Sequence, residues 1–425
     1  MTVTLDAETV RAQAREWYEA NWDPERTVGD WLKLHADSGW AYPTWPEGTF
    51  GKGLATNLAQ AVGEVRREVG AISNPGGIGP SMAGPTIVEH GTDDQVQRFI
   101  PNMLYGREIW CQLFSEPGAG SDLAGIQTRA VKSGDEWIVN GQKVWTSGAQ
   151  FARWGILVAR TDPDVPKHQG ITYFVIDMHQ DGVEVRPLKE MTGGATFNEV
   201  FFTDARVPDA DVIGTVNGGW MVAVTTLAHE RRSLGAGGGG GGGGFQIGRG
   251  ELDKKCSEVT QSSGRGGGGM GAVFGGGGDP KMLVGLAKSM GRTEDPTIRQ
   301  QVAYTYSIME IARMTGMRAK AKAAKGDAPG PEVSTGKLAA SRIIRNLRET
   351  AMHILGPQGM LYGDDAPMGG FVQQMALFAP AVSIAGGSDE IQRNIIGERV
   401  LGLPSEPRID KEVPFKELKV GTQRD

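Results

Sequence analysis

Residues 110–130 read WCQLFSEPGAGSDLAGIQTRA, and the pattern of the chain turns over at this point. Before it the periodicity is helical; from about 109 it becomes that of strands. The stretch reads as a strand end, WCQLFS, running into EPGAGSD, a turn rich in exposed amides and ending beside a serine. Such a turn can approach a phosphate or the edge of a flat cofactor, because glycine lets the backbone come close and successive N–H groups can converge on an anion. A tight surface turn reads the same way, since a lone glycine motif is a weak signal.

On the N-terminal side, ETVRAQAREWYEANW (8–22) places Val10, Ala14, Trp17 and Tyr18 on one helical face and stops at Asp23-Pro24. GLATNLAQAVGEVRREVGA repeats Leu54, Leu58, Ala61, Val65 and Val69 at helical spacing. HGTDDQVQRFIPNMLYG carries Thr92 with Gln95 three residues later, a capping-box pattern. The Pro/Gly-rich patch NPGGIGPSMAGP (74–85) is expected to break the helices between them. On the C-terminal side, EWIVNGQKVW (136–145) predicts a hairpin turning at Asn140-Gly141. WGILVAR, GITYFVIDM, GVEVRPL and NEVFFTDARV follow, at spacings suited to a small antiparallel sandwich or barrel. Helical periodicity returns in 299–326, 333–356 and 388–403, with DAPGPE joining the first two. The expected fold class is a multidomain α+β chain. It comprises an N-terminal helical domain (1–108), a middle antiparallel β-sandwich or barrel (109–214) and a C-terminal helical bundle (215–425).

A chain of 425 residues is long enough for two or three domains, each with its own core. The net charge of -6, with no long basic run, argues against a nucleic-acid partner. Cys111 and Cys256 are too few for a disulfide framework, so a reducing cytoplasm is the expected compartment. The N-terminus lacks the apolar segment of a secretory signal. No run approaches the roughly 18 apolar residues that a membrane span needs. The 64 glycines are about twice the number expected from ordinary usage. Much of the excess lies in a Gly-rich insertion, 235–278, through which no packed element can be written. It reads as a mobile insertion, or as positions where glycine stands for residues of uncertain identity.

Three motifs in order, SEPGAGSDLAG, VNGQKVWTSGA and GGSDEIQRNIIGERVLGLP, make the chain resemble the acyl-CoA dehydrogenase family over nearly its full length, with 235–285 outside the likeness. It is similar to the bacterial (FadE-like) members that carry their base on the helix after the β-domain. The resemblance implies an FAD enzyme that removes two hydrogens from an acyl-CoA thioester and passes the electrons to an electron-transfer flavoprotein. It implies that Leu113 and Ser115 bond to flavin ring heteroatoms. Ser121, beside Gly120, would reach the FAD pyrophosphate or the CoA pantetheine. Trp145 would cover the ring, with Thr146 and Ser147 beside its edge. A strand-end core aromatic is the other reading of Trp145. HILGPQGM (353–360) resembles a loop holding the dinucleotide of a neighbouring subunit's FAD, through His353 and Gly356. The family usually has Gln in place of His353, and a partly buried helix-end histidine reads equally well. Arg292 would pair with the pyrophosphate or stand solvated, because the usual Arg-x-x-Phe-Gly pattern is absent. Ser388 and Glu390 would face the flavin.

The resemblance also exposes a departure. In SIAGGSDEIQR (383–393), Gly386 occupies the family's usual glutamate position and cannot take a proton. Its N–H would still donate to the thioester carbonyl, stabilising charge that develops there. LAHERRS (227–233) places Glu230 where the minority members carry their base, followed by the matching Arg231 beside the substrate. Burial near an apolar acyl chain would raise its pKa toward the working range. An HERR run otherwise reads as a solvated face with local ion pairs. Asp389 and Glu390 are possible substitutes, but Glu230 is the expected base.

Two alternatives accompany this reading. The chain could be a non-catalytic subunit completing a neighbour's FAD site in a hetero-oligomer, which Gly386 favours and Glu230 opposes. Purified alone, such a subunit would emerge poor in FAD. It could instead be a flavin monooxygenase or nitroalkane-type oxidase on the same fold. Rapid oxygen consumption without acyl-CoA would identify that. A homo- or hetero-oligomer, dimeric or tetrameric, is expected, and the lean is toward long, branched or steroid-derived acyl groups.

Overall fold

The computed structural model describes residues 6–234, 250–259, 280–323, 330–331, 334–405, 407–408 and 410–419. The glycine runs at 237–244, 266–269 and 275–278 lie outside these, as does most of the DAPGPE connection.

The N-terminal domain contains α1 (Ala7–Asn21), α2 (Val28–Asp37), α3 (Thr56–Val69), α4 (Gly84–His90) and α5 (Asp93–Leu104). α1 buries Val10, Ala14 and Tyr18 on the predicted face, and α5 opens with the reciprocal Thr92–Gln95 capping box. The 74–85 patch does more than interrupt helices. Gly79–Ala83 forms a π-helical turn that runs directly into α4. Its glycines are there for close packing: a Cβ on Gly79 would lie 2.9 Å from Met103 Cγ, and one on Gly84 2.7 Å from the Trp45 ring.

The middle domain is an eight-stranded sheet: β1 (Trp110–Leu113), β2 (Arg129–Ser133), β3 (Glu136–Ser147), β4 (Trp154–Arg160), β5 (Ile171–Asp177), β6 (Val183–Pro187), β7 (Phe197–Pro208) and β8 (Val212–Ile213). Its order is β6-β7-β3-β2-β4-β5-β8, with β1 beside β4. Most pairs are antiparallel, but β1 and β4 run parallel, Trp110 opposite Trp154 through Leu113 opposite Leu157. The predicted hairpin at Asn140-Gly141 is not formed. β3 continues straight through these residues, with a register shift between Val139 and Gly141. A Cβ on Gly141 (φ +151°) would sit 2.5 Å from Thr128 Oγ1, so the glycine serves a bulge pressed against its neighbour. The real hairpin turns at Gly134-Asp135, where Ser133 pairs with Glu136 and Gly134 takes φ +61°.

β1, β4 and β5 are buried on both faces, which explains their near-continuous apolar sequences. Leu113, Leu157, Phe174 and Ile176 enter the core of the β-domain. Their alternates Trp110, Ile156, Tyr173 and Val175 pack on Ile87, Phe99, Ile100 and Met103 of the N-terminal helices.

The C-terminal domain begins with α6 (Gly219–Leu234), whose Val222 and Ala223 join that same helix-facing core. α7 (Pro280–Ser289), α8 (Pro296–Ala323), α9 (Ser334–Leu355) and α10 (Phe371–Val382) form the bundle around Leu286, Ile298, Leu347, Ala351 and Phe378. The last helix is shorter than the 388–403 pattern predicts: α11 (Asp389–Ile395) passes into a π-helical turn, Ile396–Val400.

Inside the Gly-rich insertion, residues 250–259 are placed on the N-terminal domain. Val28 N–H donates to Lys254 C=O at 2.9 Å, Gly29 N–H to Leu252 C=O at 2.8 Å, and Cys256 N–H to Arg26 C=O at 2.9 Å. Cys256 is buried in the core that holds Tyr18, Trp31 and Val65. The expectation of a segment without packed structure fails for these ten residues, because they carry the side chains that the flanking runs lack. Among the described residues, no helix is long and apolar enough to cross a membrane.

Candidate functional site

The turn that follows β1 is fixed by a buried ion pair. Lys143 on β3 is wholly buried, and its Nζ donates to Glu116 Oε1 at 2.8 Å and to Phe114 C=O at 3.0 Å. Glu116 also accepts from Gln127 N–H at 2.6 Å and Thr128 N–H at 3.0 Å. Burial pushes the Glu116 carboxyl up, but the Lys143 charge and these donors outweigh it, and the group ends below the usual carboxylate range. Burial dominates at Lys143 and leaves its ammonium below the usual lysine value. Glu116 and Ala119 exchange two backbone hydrogen bonds across the turn, leaving Gly120 and Ser121 exposed beyond it. Leu113 points into the β-domain core, so only its backbone is available to a ligand. Ser115 is half-buried, and its C=O accepts from Val144 N–H at 2.9 Å, tying this turn to the 143–147 segment.

That segment carries the clearest sign of a binding surface. Trp145 takes φ +60° at a second register shift in β3, and its side chain is 61% exposed. A core aromatic is thereby ruled out. A bulky residue in the left-handed region is strained, and such strain concentrates where ligands are held. The ring packs edge-to-face with Phe197 at 6.0 Å and otherwise stands open. Next to it, Thr146 is fully buried, yet its Oγ1 has no hydrogen-bond partner among the described residues. Buried hydroxyls are nearly always bonded. An exposed aromatic face flanked by an unsatisfied hydroxyl and the half-buried Ser147 suits a flat ring with polar atoms on its edge, as FAD has.

Glu230 stands half-buried on α6 and accepts from Gln112 Nε2 of β1 at 3.2 Å. Burial raises its pKa, against smaller opposing effects from the Gln112 bond and the charge of Arg231, which is itself half-buried. α6 is pinned by buried hydroxyls: Thr226 Oγ1 lies 3.0 Å from both Thr86 Oγ1 and Tyr173 Oη. The sequence reading of HERR as a solvated face therefore fails at Glu230.

Gly386 takes φ +66° and Gly387 φ +85° in the turn before α11. Gln392 Nε2 donates to both of their carbonyls, at 3.1 and 3.3 Å. No acceptor engages the Gly386 N–H among the described residues. Ser388 caps α11 by accepting from Ile391 N–H at 3.4 Å. Asp389 is buried between Lys337 (3.2 Å) and Arg345 (2.6 Å), so its carboxylate is committed to ion pairs. Glu390 is exposed and pairs with Arg393 at 3.2 Å, with its pKa lowered first by its own backbone amide. Neither is suited to act as a base.

The third group lies at the end of α9. Arg292 is half-buried and pairs with Asp295 at 2.9 Å; a Cβ on Gly356 would lie 3.6 Å from Arg292 Nη1. His353 is exposed rather than partly buried, and its Nδ1 lies 2.9 Å from Gln301 Oε1. The predicted residues thus form three sets. Leu113, Ser115 and Trp145–Ser147 are joined through Glu116–Lys143, and Glu230 is joined to the same strand through Gln112. Gly386 stands with Ser388, and Arg292 with Gly356 and His353. The sequence reading missed Gln112, Glu116 and Lys143. A lysine in phase with the buried Trp137 and Val139 on β3 was the available signal for the last.

Models of the N-terminal, middle and C-terminal domains of acyl-CoA dehydrogenase match residues 4–107, 111–205 and 287–401. Glu230 falls between the matched segments. Acyl-CoA dehydrogenase IpdE1 of Mycobacterium tuberculosis is 36% identical over 429 residues, covering 95% of this chain and 99% of that protein. Acyl-CoA dehydrogenase FadE34 of the same organism is 36% identical over 374 residues, and there the chain spans 45% of the relative's length. Among solved structures, the Tcur3481-Tcur3483 steroid ACAD superposes with a TM-score of 0.69 at 25% identity, over 96% of this chain and 100% of that one.

Proposed function

The chain belongs to the acyl-CoA dehydrogenase family, and from that premise we propose that it converts an acyl-CoA thioester to the enoyl-CoA with Glu230 as the base. The carrying observation is Glu230 itself: a carboxylate raised in pKa by burial and hydrogen-bonded at 3.2 Å to the strand that leads into the cofactor-facing turn. Glu230 takes the α-proton on a carboxylate oxygen. Gln112 orients that carboxylate. The Gly386 N–H donates to the thioester carbonyl, where negative charge grows as the α-proton leaves. Trp145 covers one face of the ring, Thr146 Oγ1 and Ser147 meet its edge, and Ser121 meets a phosphate or pantetheine. Bound FAD would supply the two-electron acceptor for the β-hydrogen, which leaves with its electron pair. Arg292, His353 and Gly356 fit the far end of an FAD, and an electron-transfer flavoprotein is the expected oxidant.

The apolar side chains exposed along α8, among them Ile311, Met314 and Met317, support an assembly of more than one chain. A steroid-derived or branched acyl group is the favoured substrate class, in keeping with the likeness to the Tcur3481-Tcur3483 steroid ACAD. Gly386 favours one second reading, a subunit that completes a partner's FAD site without turning over itself.

Anaerobic bleaching of the flavin by a panel of short, long, branched and steroid-side-chain acyl-CoAs tests the proposal, with wild type beside Glu230→Gln at equal FAD content. Bleaching that is lost in the variant supports the base. Equal bleaching in both rejects it, and FAD-free protein points to the subunit reading.

A further inference from the structure

Beyond the bundle, residues Asp410–Lys419 return to the β-domain and lie along the β4–β5 loop. Pro414 bridges Pro166, Phe415 N–H donates to Val165 C=O at 2.9 Å, and Lys416 N–H to Pro163 C=O at 3.0 Å. Lys416 Nζ pairs with Asp164 at 2.7 Å. Two buried cations carry these contacts inward. Lys167 Nζ lies 2.5 Å from Asp410 and donates at 2.9 Å to each oxygen of Asp122, the last residue of EPGAGSD. The Arg160 guanidinium lies 3.7 Å over the Phe415 ring, and donates to Lys167 C=O and to Ala124 C=O, both at 2.6 Å. His168 packs edge-to-face on Trp220, at the start of α6, at 4.7 Å.

A buried ammonium must be matched by charge, and Asp122 alone would neutralise Lys167. The second carboxylate comes from the tail, so Lys167 couples the tail to the turn. Arg160 does the same through a cation–π contact on one side and a backbone carbonyl of the turn on the other. We propose that the tail is a positioning clamp: Asp410 and Phe415, acting through Lys167 and Arg160, hold the 116–126 turn where Ser121 meets its phosphate or pantetheine ligand. This rests on the function proposed above for Ser121. These four are positioning residues, since none of them is assigned to the substrate or the ring.

The test uses the full-length holoprotein and the variants Phe415→Ala, Phe415→Tyr and Asp410→Asn. Hydrogen exchange should speed up about ten-fold or more at the amides of 119–126 in Phe415→Ala and Asp410→Asn, with the rest of the β-domain unchanged. Phe415→Tyr, which keeps the ring under Arg160, should exchange as wild type. The same two loosened variants should raise KM for acyl-CoA, or the FAD dissociation constant, by about five-fold or more while kcat stays within about two-fold. A change in KM assigns the turn to CoA, and one in FAD binding assigns it to the pyrophosphate. Unchanged exchange at 119–126, loosening spread over the whole β-domain, or a fall in kcat alone overturns the clamp. Should wild type dehydrogenate no acyl-CoA, the function proposal falls, while the exchange result still decides the clamp.

Discussion

At the scale of single residues, Glu230 and Trp145 carry the proposal in different ways. Glu230 must be ionised to accept a proton, and burial holds its pKa above the usual glutamate value. Flavin reduction should therefore be lost on the acid side as pH falls through that raised pKa, later in an alkaline titration than an exposed glutamate would allow. Gln112→Leu removes a bond that favours the carboxylate, so the acid limb should move further toward alkaline pH in stopped-flow profiles. An unmoved limb would show that another group titrates. Glu230→Gln should slow reduction by roughly 10²–10⁴, the usual span of a general base. Trp145 combines backbone strain with exposure. Its left-handed backbone costs on the order of 1–3 kcal/mol, and the ring it displays is 61% exposed. Trp145→Gly should leave unfolding midpoints unchanged or raised while weakening FAD binding. A variant that loses stability and keeps its flavin would make the ring a packing element.

At the scale of elements, the bulge at Gly141 decides how β3 crosses the sheet. A Cβ there would meet Thr128 Oγ1, Cα and Cβ at 2.5, 2.7 and 2.8 Å, two of them rigidly placed atoms. Gly141→Ala should destabilise by about 1–3 kcal/mol or more in denaturant titrations, as overpacking does. An unchanged midpoint would mean that the β2–β3 pair slides freely. This same site shows what the sequence could and could not tell. α1, α5 and α9 were legible from periodicity and capping, because those signals are local. Asn140-Gly141 is also a strong local turn signal, yet a strand 12 residues long overrides it, since both sides pair with β7. Position 230 was legible only by likeness, and its partner Gln112 was not. Their contact spans 118 residues and leaves no mark on either neighbourhood. Lys143 and Glu116 were likewise invisible as a pair, because charge alone does not say which lysine is buried.

At the scale of the molecule, the N-terminal domain holds a buried histidine that ties its stability to pH. His35, on α2, is fully buried, with Tyr18 Oη 2.7 Å from its Nε2, and burial depresses its pKa to about 3. A basic group depressed in the folded state binds its proton more readily when unfolded. Its contribution is thus complete above about 6.5 and falls by at most roughly 1.4 kcal/mol for each pH unit below that, down to about 3. The nearby Trp17, Trp22 and Trp31 ring cluster offers a fluorescence reading of this domain. Urea midpoints at pH 7 and 4.5 should separate in wild type and converge in His35→Gln. The docking of 250–259 on this same domain has a further consequence, one of timing. Cys256 is a wall of the Tyr18–Trp31 core, but it is synthesised about 150 residues after the domain's last helix, which at roughly 5–20 residues per second is an interval of about 8–30 s. During that interval the growing chain carries an N-terminal domain with an open seat in its core, and the whole β-domain must emerge before the seat is filled.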